Sequence, residues 1–205
     1  TSLEEITLTS TLNIIDDYAF NGCTSLKKIL IPTSVNKIGE YAFNRCASMM
    51  KINIPKSVKK IGKYAFCCCT SLSEIIFDAD VDIIEEKTFY NCKSLLSITI
   101  SYSINKIGNY AFSGCVSLTN VVLPSTLICI EDFAFERCAS IKNIKFNNLI
   151  NNIGYGAFSN CKSLENVELP YKITKIEGKT FNNCNSIRNI SIPDSVKTIE
   201  NAAFY

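Results

Sequence analysis

Histidine and tryptophan are absent from all 205 residues, and methionine occurs only twice. Without histidine the chain lacks the commonest general base, the commonest metal ligand and every Ser-His or Cys-His nucleophile arrangement. No apolar run approaches the roughly 18 residues of a membrane span, and no signal-peptide pattern opens the chain. An excess of one charge is missing as well. The 21 Lys and Arg stand against 19 Asp and Glu, a net charge of +2, which does not supply the basic field that nonspecific nucleic-acid binding needs. Proline is scarce, and its five copies (Pro32, Pro55, Pro124, Pro170 and Pro193) all fall at one point of a repeat.

That repeat is the dominant feature. Phenylalanine recurs every 23 residues, at Phe20, Phe43, Phe66, Phe89, Phe112, Phe135, Phe158, Phe181 and Phe204. Cysteine keeps the same interval three residues later, from Cys23 and Cys46 through Cys184. No insertion or deletion interrupts nine units. A fixed period of this size implies a solenoid, in which each unit buries its apolar face only against its neighbours.

Within one unit, apolar columns lie at Leu26, at Ile29 and at Ile31, and their equivalents stay apolar along the chain. The last two are separated by two residues, the alternation of a strand with one buried face. Proline follows directly and marks where pairing ends, because it cannot donate to a sheet ladder. Val35 and Ile38, with their equivalents, surround a second short extended piece. The Tyr-Ala-Phe-x-x-Cys segment reads as a helical or 3₁₀ turn. Glycine at Gly39, Gly62, Gly108 and Gly154 gives way to Asp16, Glu85, Glu131, Glu177 and Glu200 in the same column, so a positive φ is not expected there. A serine precedes the first apolar column in every unit, and its hydroxyl is expected to satisfy a turn amide. Coils stacked about 4.8 Å apart turn the columns into a parallel sheet, a phenylalanine spine and a cysteine row, spanning about 40 Å.

Written out, the unit is L-x-x-I-x-I-P-x-S-V-x-x-I-G-x-Y-A-F-x-x-C-x-S, and it resembles the BspA-like leucine-rich repeat family, with its LxxIxIPxxVxxIGxxAFxxC repeats, over essentially the whole chain. Departures are local, at Asp78-Ala79-Asp80, at Thr88 and at Asn147-Asn148-Leu149. The resemblance implies a leucine-rich repeat solenoid, a right-handed coil of about nine units with a parallel sheet on the concave face. It also implies surface proteins that engage host matrix proteins or other cells. The family's repeat residues are structural, so it supplies no catalytic residue, metal or cofactor.

Residues 1–205 are accordingly read as one leucine-rich repeat domain, a portion of a longer protein because Thr1 falls mid-unit and Phe204-Tyr205 stop before the next cysteine. The functional reading is a non-enzymatic interaction or adhesion module, at the cell surface or secreted, that takes a protein ligand such as a host extracellular-matrix or cell-surface protein. The alternative is a cytoplasmic leucine-rich repeat scaffold or regulatory protein, since free thiols fit a reducing compartment. The candidate contact residues lie on the sheet's outward positions. Leu30, Met50, Ile76, Leu96 and Val122 are expected to form an apolar patch bordered by Lys27, Lys28 and Lys51. A lysine row (Lys37, Lys59, Lys60, Lys106, Lys175) reads as a solvated face. Asp78-Ala79-Asp80-Val81-Asp82 opens like a calcium loop but places Ile83 and Phe89 where glycine and glutamate are required. The eight ladder cysteines read as buried free thiols, and Cys67, Cys68 and Cys129 as more exposed and more reactive ones.

Overall fold

In the computed structural model, which describes residues 2–205, each unit forms one coil with two short strands and a run of turns. The first strands run from Glu5–Ile6 to Asn166–Glu168, and the second from Ile14–Ile15 to Thr198–Ile199. Every strand pairing is parallel and joins residues 23 apart, for example Ile52 with Ile75 and Ile107 with Ile130. The strands are as short as the apolar alternation that makes them: in Lys51–Ile54, Ile52 and Ile54 point inward while Lys51 and Asn53 point out. Neither row of strands is continuous. The first row divides into three sheets and so does the second.

The turn segment, by contrast, is hydrogen-bonded without a break. Residues of Tyr-Ala-Phe-x-x-Cys donate alternately within their own coil and to the next. Ala19, Asn21 and Cys23 bond back three residues, whereas Tyr18, Phe20 and Gly22 reach Glu40, Ala42 and Asn44. The same three bonds tie every successive pair of coils, down to Lys179, Phe181 and Asn183 bonding to Asn201, Ala203 and Tyr205. The expected helical or 3₁₀ turn is replaced by this ladder, and no helix occurs among the described residues. The reason is backbone geometry. Two residues per coil sit in the left-handed region, such as Tyr41 at φ 54° and Arg45 at φ 61°, which no helix tolerates. They swing alternate amides out along the solenoid axis. No valine, isoleucine or threonine occupies either position in any coil, because branching at Cβ makes a positive φ most costly.

The glycine column keeps a negative φ, as its glutamates imply. Its purpose is close approach: a Cβ on Gly62 would lie 2.5 Å from the backbone nitrogen of Glu40.

Inside the coil the phenylalanines stack nearly parallel, with centroids 5.2 Å apart for Phe112 and Phe135 and planes 8° apart. Phe43 through Phe181 are buried. Phe77 and Phe146 add edge contacts to Phe89 and Phe158. The ladder cysteines are free and buried, and each thiol from Cys46 to Cys184 donates to the carbonyl of the phenylalanine 26 residues earlier, at 3.1–3.3 Å. The conserved-in-place serines do not satisfy turn amides through their hydroxyls. Ser140 and Ser186 instead donate Oγ to Val116 and Lys162 carbonyls in the preceding coil, at 2.7 Å.

Replacing Phe112 by alanine opens a cavity between two neighbouring rings and lowers the unfolding free energy by about 3–5 kcal/mol. Lys106→Ala removes only a surface ion pair to Glu131 and leaves stability close to wild type. Denaturant unfolding of the two variants measures both, and equal effects would refute the spine. A second expectation concerns pH. Burial raises the Cys46, Cys115 and Cys184 thiols to about 12, from an ordinary 9.0. Above that ordinary value the unfolded chain releases protons that the folded chain retains. Stability is therefore complete below about pH 9 and lost as pH rises toward 12, by up to about 1.4 kcal/mol per pH unit for each such thiol. Unfolding under reducing conditions at increasing alkaline pH measures the slope.

Candidate functional site

The outer face of the first strand row carries the candidate contact residues. Strand alternation places the equivalents of Lys51 and Asn53 on this face, and the residue entering the strand, such as Met50, stands exposed at its edge. All five apolar candidates are open to solvent: Leu30 70%, Met50 58%, Ile76 36%, Leu96 54% and Val122 48% exposed. They do not form one continuous patch. Leu30, Ile76 and Val122 share a column but occupy every second coil, with Asn53 and Thr99 between them; Asn53 pairs in register with Ile76, and Thr99 with Val122. Met50 and Leu96 lie in a separate column.

The lysines between and beside these columns are ion-paired one coil along. Lys27 bonds to Glu4 at 2.8 Å, Lys28 lies 3.9 Å from Glu5, and Lys51 bonds to Glu74 at 2.5 Å. The charged border is thus locally neutral, and such exposed pairs fix side-chain position more than they stabilise. The arrangement offers separated aliphatic knobs in a frame of ion pairs and amides, suited to a broad contact rather than to enclosure of a small molecule.

Further along the same face the chemistry changes. The column that begins Glu5, Lys28, Lys51, Glu74 passes through Ser97 and continues as Asn120, Asn143, Asn166 and Asn189. Asn166 donates Nδ2 to Asn143 Oδ1 at 2.7 Å. A concavity of about 500 Å³ opens here between Glu165, Asn166, Arg188 and Asn189. The fourfold asparagine run was the available signal for this polar end.

Four members of the lysine row along the second strands are held in ion pairs. Lys37 reaches Asp16 and Asp17, Lys59 bonds to Asp80 at 2.6 Å, Lys106 to Glu131 at 2.6 Å, and Lys175 to Glu177 and Glu200. The hydrogen bond to Glu131 raises the Lys106 pKa, and that to Lys59 lowers Asp80. Asp80 is therefore part of an ion pair. Among the described residues no group of three or more His, Cys, Asp or Glu could hold a metal ion, and no helix is long and apolar enough to cross a membrane.

The tyrosine column escapes a reading based on core positions. Its side chains stack on the outside of the turn ladder, Tyr18 on Tyr41 at 4.9 Å and Tyr41 on Tyr64 at 4.5 Å. Where the next coil substitutes lysine, Lys87 Nζ lies 5.0 Å from the ring centres of both Tyr64 and Tyr110. The cation replaces an aromatic ring without interrupting the stack.

Of the three cysteines outside the ladder, Cys68 and Cys129 are half-buried, in line with greater accessibility, but Cys67 is buried. The correction follows from the turn: its left-handed residue is Cys68, which turns outward and leaves Cys67 beneath it. Burial also pushes the Cys67 thiol up to about 12.

The family description "BspA type Leucine rich repeat region" matches residues 1–117 and 82–205, in six copies. Among solved structures, a leucine-rich repeat protein from Bacteroides ovatus superposes with a TM-score of 0.80 at 30% identity, over 99% of this chain and 58% of that one. A leucine rich cell surface protein from Faecalibacterium prausnitzii gives 0.76 at 26% identity, over 94% of this chain and 64% of that one. A leucine rich repeat protein from T. pallidum gives 0.73 at 31% identity, over 78% of each. The pneumococcal vaccine antigen PcpA, at 21% identity and a TM-score of 0.58, shares the fold. The chain thus spans 58% and 64% of the first two proteins. Among curated proteins none matches it.

Thiol alkylation of the native chain tests the cysteine environments. Cys68 and Cys129 are expected to react first and Cys67 more slowly, with the ladder thiols protected until unfolding. Uniform labelling, read by peptide mass spectrometry, would show the ladder is open to solvent.

Proposed function

Because the chain belongs to the BspA type leucine rich repeat family, we propose that it is a protein-interaction module whose outward first-strand face contacts a protein ligand at the cell surface. Solenoids of this kind are typically non-enzymatic scaffolds. The observation that carries the reading is the display of Leu30, Met50, Ile76, Leu96 and Val122, all solvent-exposed, with Ile76 and Val122 fixed by strand pairing. Side chains ordered in advance lose little conformational entropy on binding. Lys27, Lys28 and Lys51, held by their glutamates, frame the contact and orient the partner. The ligand class that suits this face is an extended protein surface, such as a host extracellular-matrix or cell-surface protein. A surface location is supported by the description of the F. prausnitzii neighbour as a cell surface protein.

One observation favours a second reading, an intracellular scaffold of the same fold: all eleven cysteines are free, which suits a reducing compartment. Labelling intact producing cells with a membrane-impermeant biotin reagent separates the two, since the surface module is labelled without lysis and the scaffold only after it. For the contact face, a Leu30→Ser, Ile76→Ser, Val122→Ser triple variant is expected to fold as the wild type does, because all three side chains are exposed. Its retention on the ligand-bearing surface should fall at least about tenfold, the equivalent of about 1.4 kcal/mol. Undiminished retention would remove these residues from the contact.

A further inference from the structure

The two positions after the core phenylalanine are Asn-Gly, Asn-Arg, Tyr-Asn, Ser-Gly, Glu-Arg, Ser-Asn or Asn-Asn in other coils, and only the third coil places Cys67 and Cys68 there. Their sulfurs lie 3.5 Å apart, with Cys67 Sγ donating to Cys68 Sγ. Both line a surface depression of about 330 Å³ walled by the rings of Tyr41, Tyr64 and Tyr90 and bordered by Arg45 and Lys87. The next thiol in sequence is not available. Cys69 is fully buried and donates to the Phe43 carbonyl at 3.1 Å.

A direct disulfide between the two is opposed by the backbone. Adjacent Cα atoms across a trans peptide are about 3.8 Å apart, shorter than the roughly 4.4 Å at which disulfides begin. The linking peptide is moreover fixed at both ends. The Cys67 carbonyl accepts from Arg45 N–H at 2.8 Å, and Cys68 N–H donates to the Tyr90 carbonyl at 2.7 Å. Twisting this peptide to join the sulfurs would break two rungs of the inter-coil ladder. Inserting one atom between the sulfurs leaves both rungs in place. The atom must accept two sulfurs close to van der Waals contact, with no third protein ligand. Linear two-coordinate ions need the sulfurs farther apart, and tetrahedral zinc needs more ligands.

We propose that Cys67 and Cys68 form a dithiol binding site for trivalent arsenic compounds. Trivalent arsenic is pyramidal, and its bonds to sulfur stand near right angles, so it bridges two sulfurs at this separation. With phenylarsine oxide as the probe, two As–S bonds form and the As–O double bond is lost. The two thiol protons leave with that oxygen as one water, and no atom changes oxidation state. The half-buried Cys68 engages first and Cys67 closes the chelate. Arg45 and Lys87 favour deprotonation of Cys67 as this bond forms, against the burial that opposes it. The aromatic walls accept the phenyl group. This inference is independent of the ligand proposed for the sheet face.

The reduced full chain is titrated with phenylarsine oxide and followed by native mass spectrometry and by thiol counting. One probe is expected to bind, to mask Cys68 from alkylation, and to be released by a competing small dithiol but not by a monothiol. Cys67→Ser and Cys68→Asn each weaken binding by about 100-fold or more, through loss of the chelate. Both replacements occur naturally in sister coils, at Ser113 and Asn91, and unchanged melting temperatures verify the fold. Cys129→Ser leaves binding as in wild type. Equal uptake by the Cys68→Asn variant, uptake that follows Cys129, or a reduced chain that takes up no probe would each overturn the site, as would a Cys67–Cys68 disulfide formed with all other properties native.

Discussion

Alternation of the turn amides, one to its own coil and the next to its neighbour, is the constraint on which the rest of the molecule depends. Both strand rows are interrupted along the axis, yet the turn ladder holds every junction with the same three bonds. It requires two left-handed residues per coil, each costing about 1–2 kcal/mol outside glycine, and hydrogen bonding repeated along the whole solenoid offsets that strain. A residue inserted within a turn would put the later amides of that turn out of phase with their acceptors in the adjacent coil. This accounts for nine units without a slip better than core packing does, since packed side chains tolerate small displacements and paired amides do not.

Cysteine in the ladder is explained by the same junction. The phenylalanine carbonyl already accepts an amide from its own coil, as Phe20 does from Cys23, and has a second lone pair facing the interior. A thiol from the next coil fills it, as Cys46 does at 3.3 Å, while remaining small and apolar enough for the core. Serine would bring a stronger donor at a larger desolvation cost, and alanine would leave the carbonyl with one partner. The stacked phenylalanines set the width of the coil, and the thiols close the corner beneath them.

The columns that point inward were legible from residue type alone. Phenylalanine, cysteine and the isoleucine pair of Ile52 and Ile54 repeat because burial rejects alternatives. The left-handed positions were not legible, because their usual marker is glycine and here they hold Tyr41, Lys87, Phe133 and Ala202 as readily as Gly156. Tyr41, Lys87 and Phe133 stack on their neighbours outside the coil, so residue identity there reports the stack and hides the backbone. The candidate contact face was legible as a set of exposed residues but not in its ion pairing. The 23-residue period already places Leu30, Ile76 and Val122 in alternate coils, but only the structure shows that each nearby lysine has a glutamate within reach. Cys67 was misplaced because exposure at a turn depends on which of two neighbours takes the positive φ.

The orientation of the turn ladder also decides how the molecule responds to tension. Its inter-coil bonds run along the solenoid axis, so a pull applied between the two ends loads the junctions one after another rather than all at once in shear. Coils would peel singly, each held only by its immediate neighbour. Each one released converts about 4.8 Å of axis into about 75 Å of extended chain. Stretched this way, the solenoid lengthens in uniform steps and yields at low force while the coils still stacked keep their shape. It behaves as a shock absorber whose stroke is set by the number of repeats.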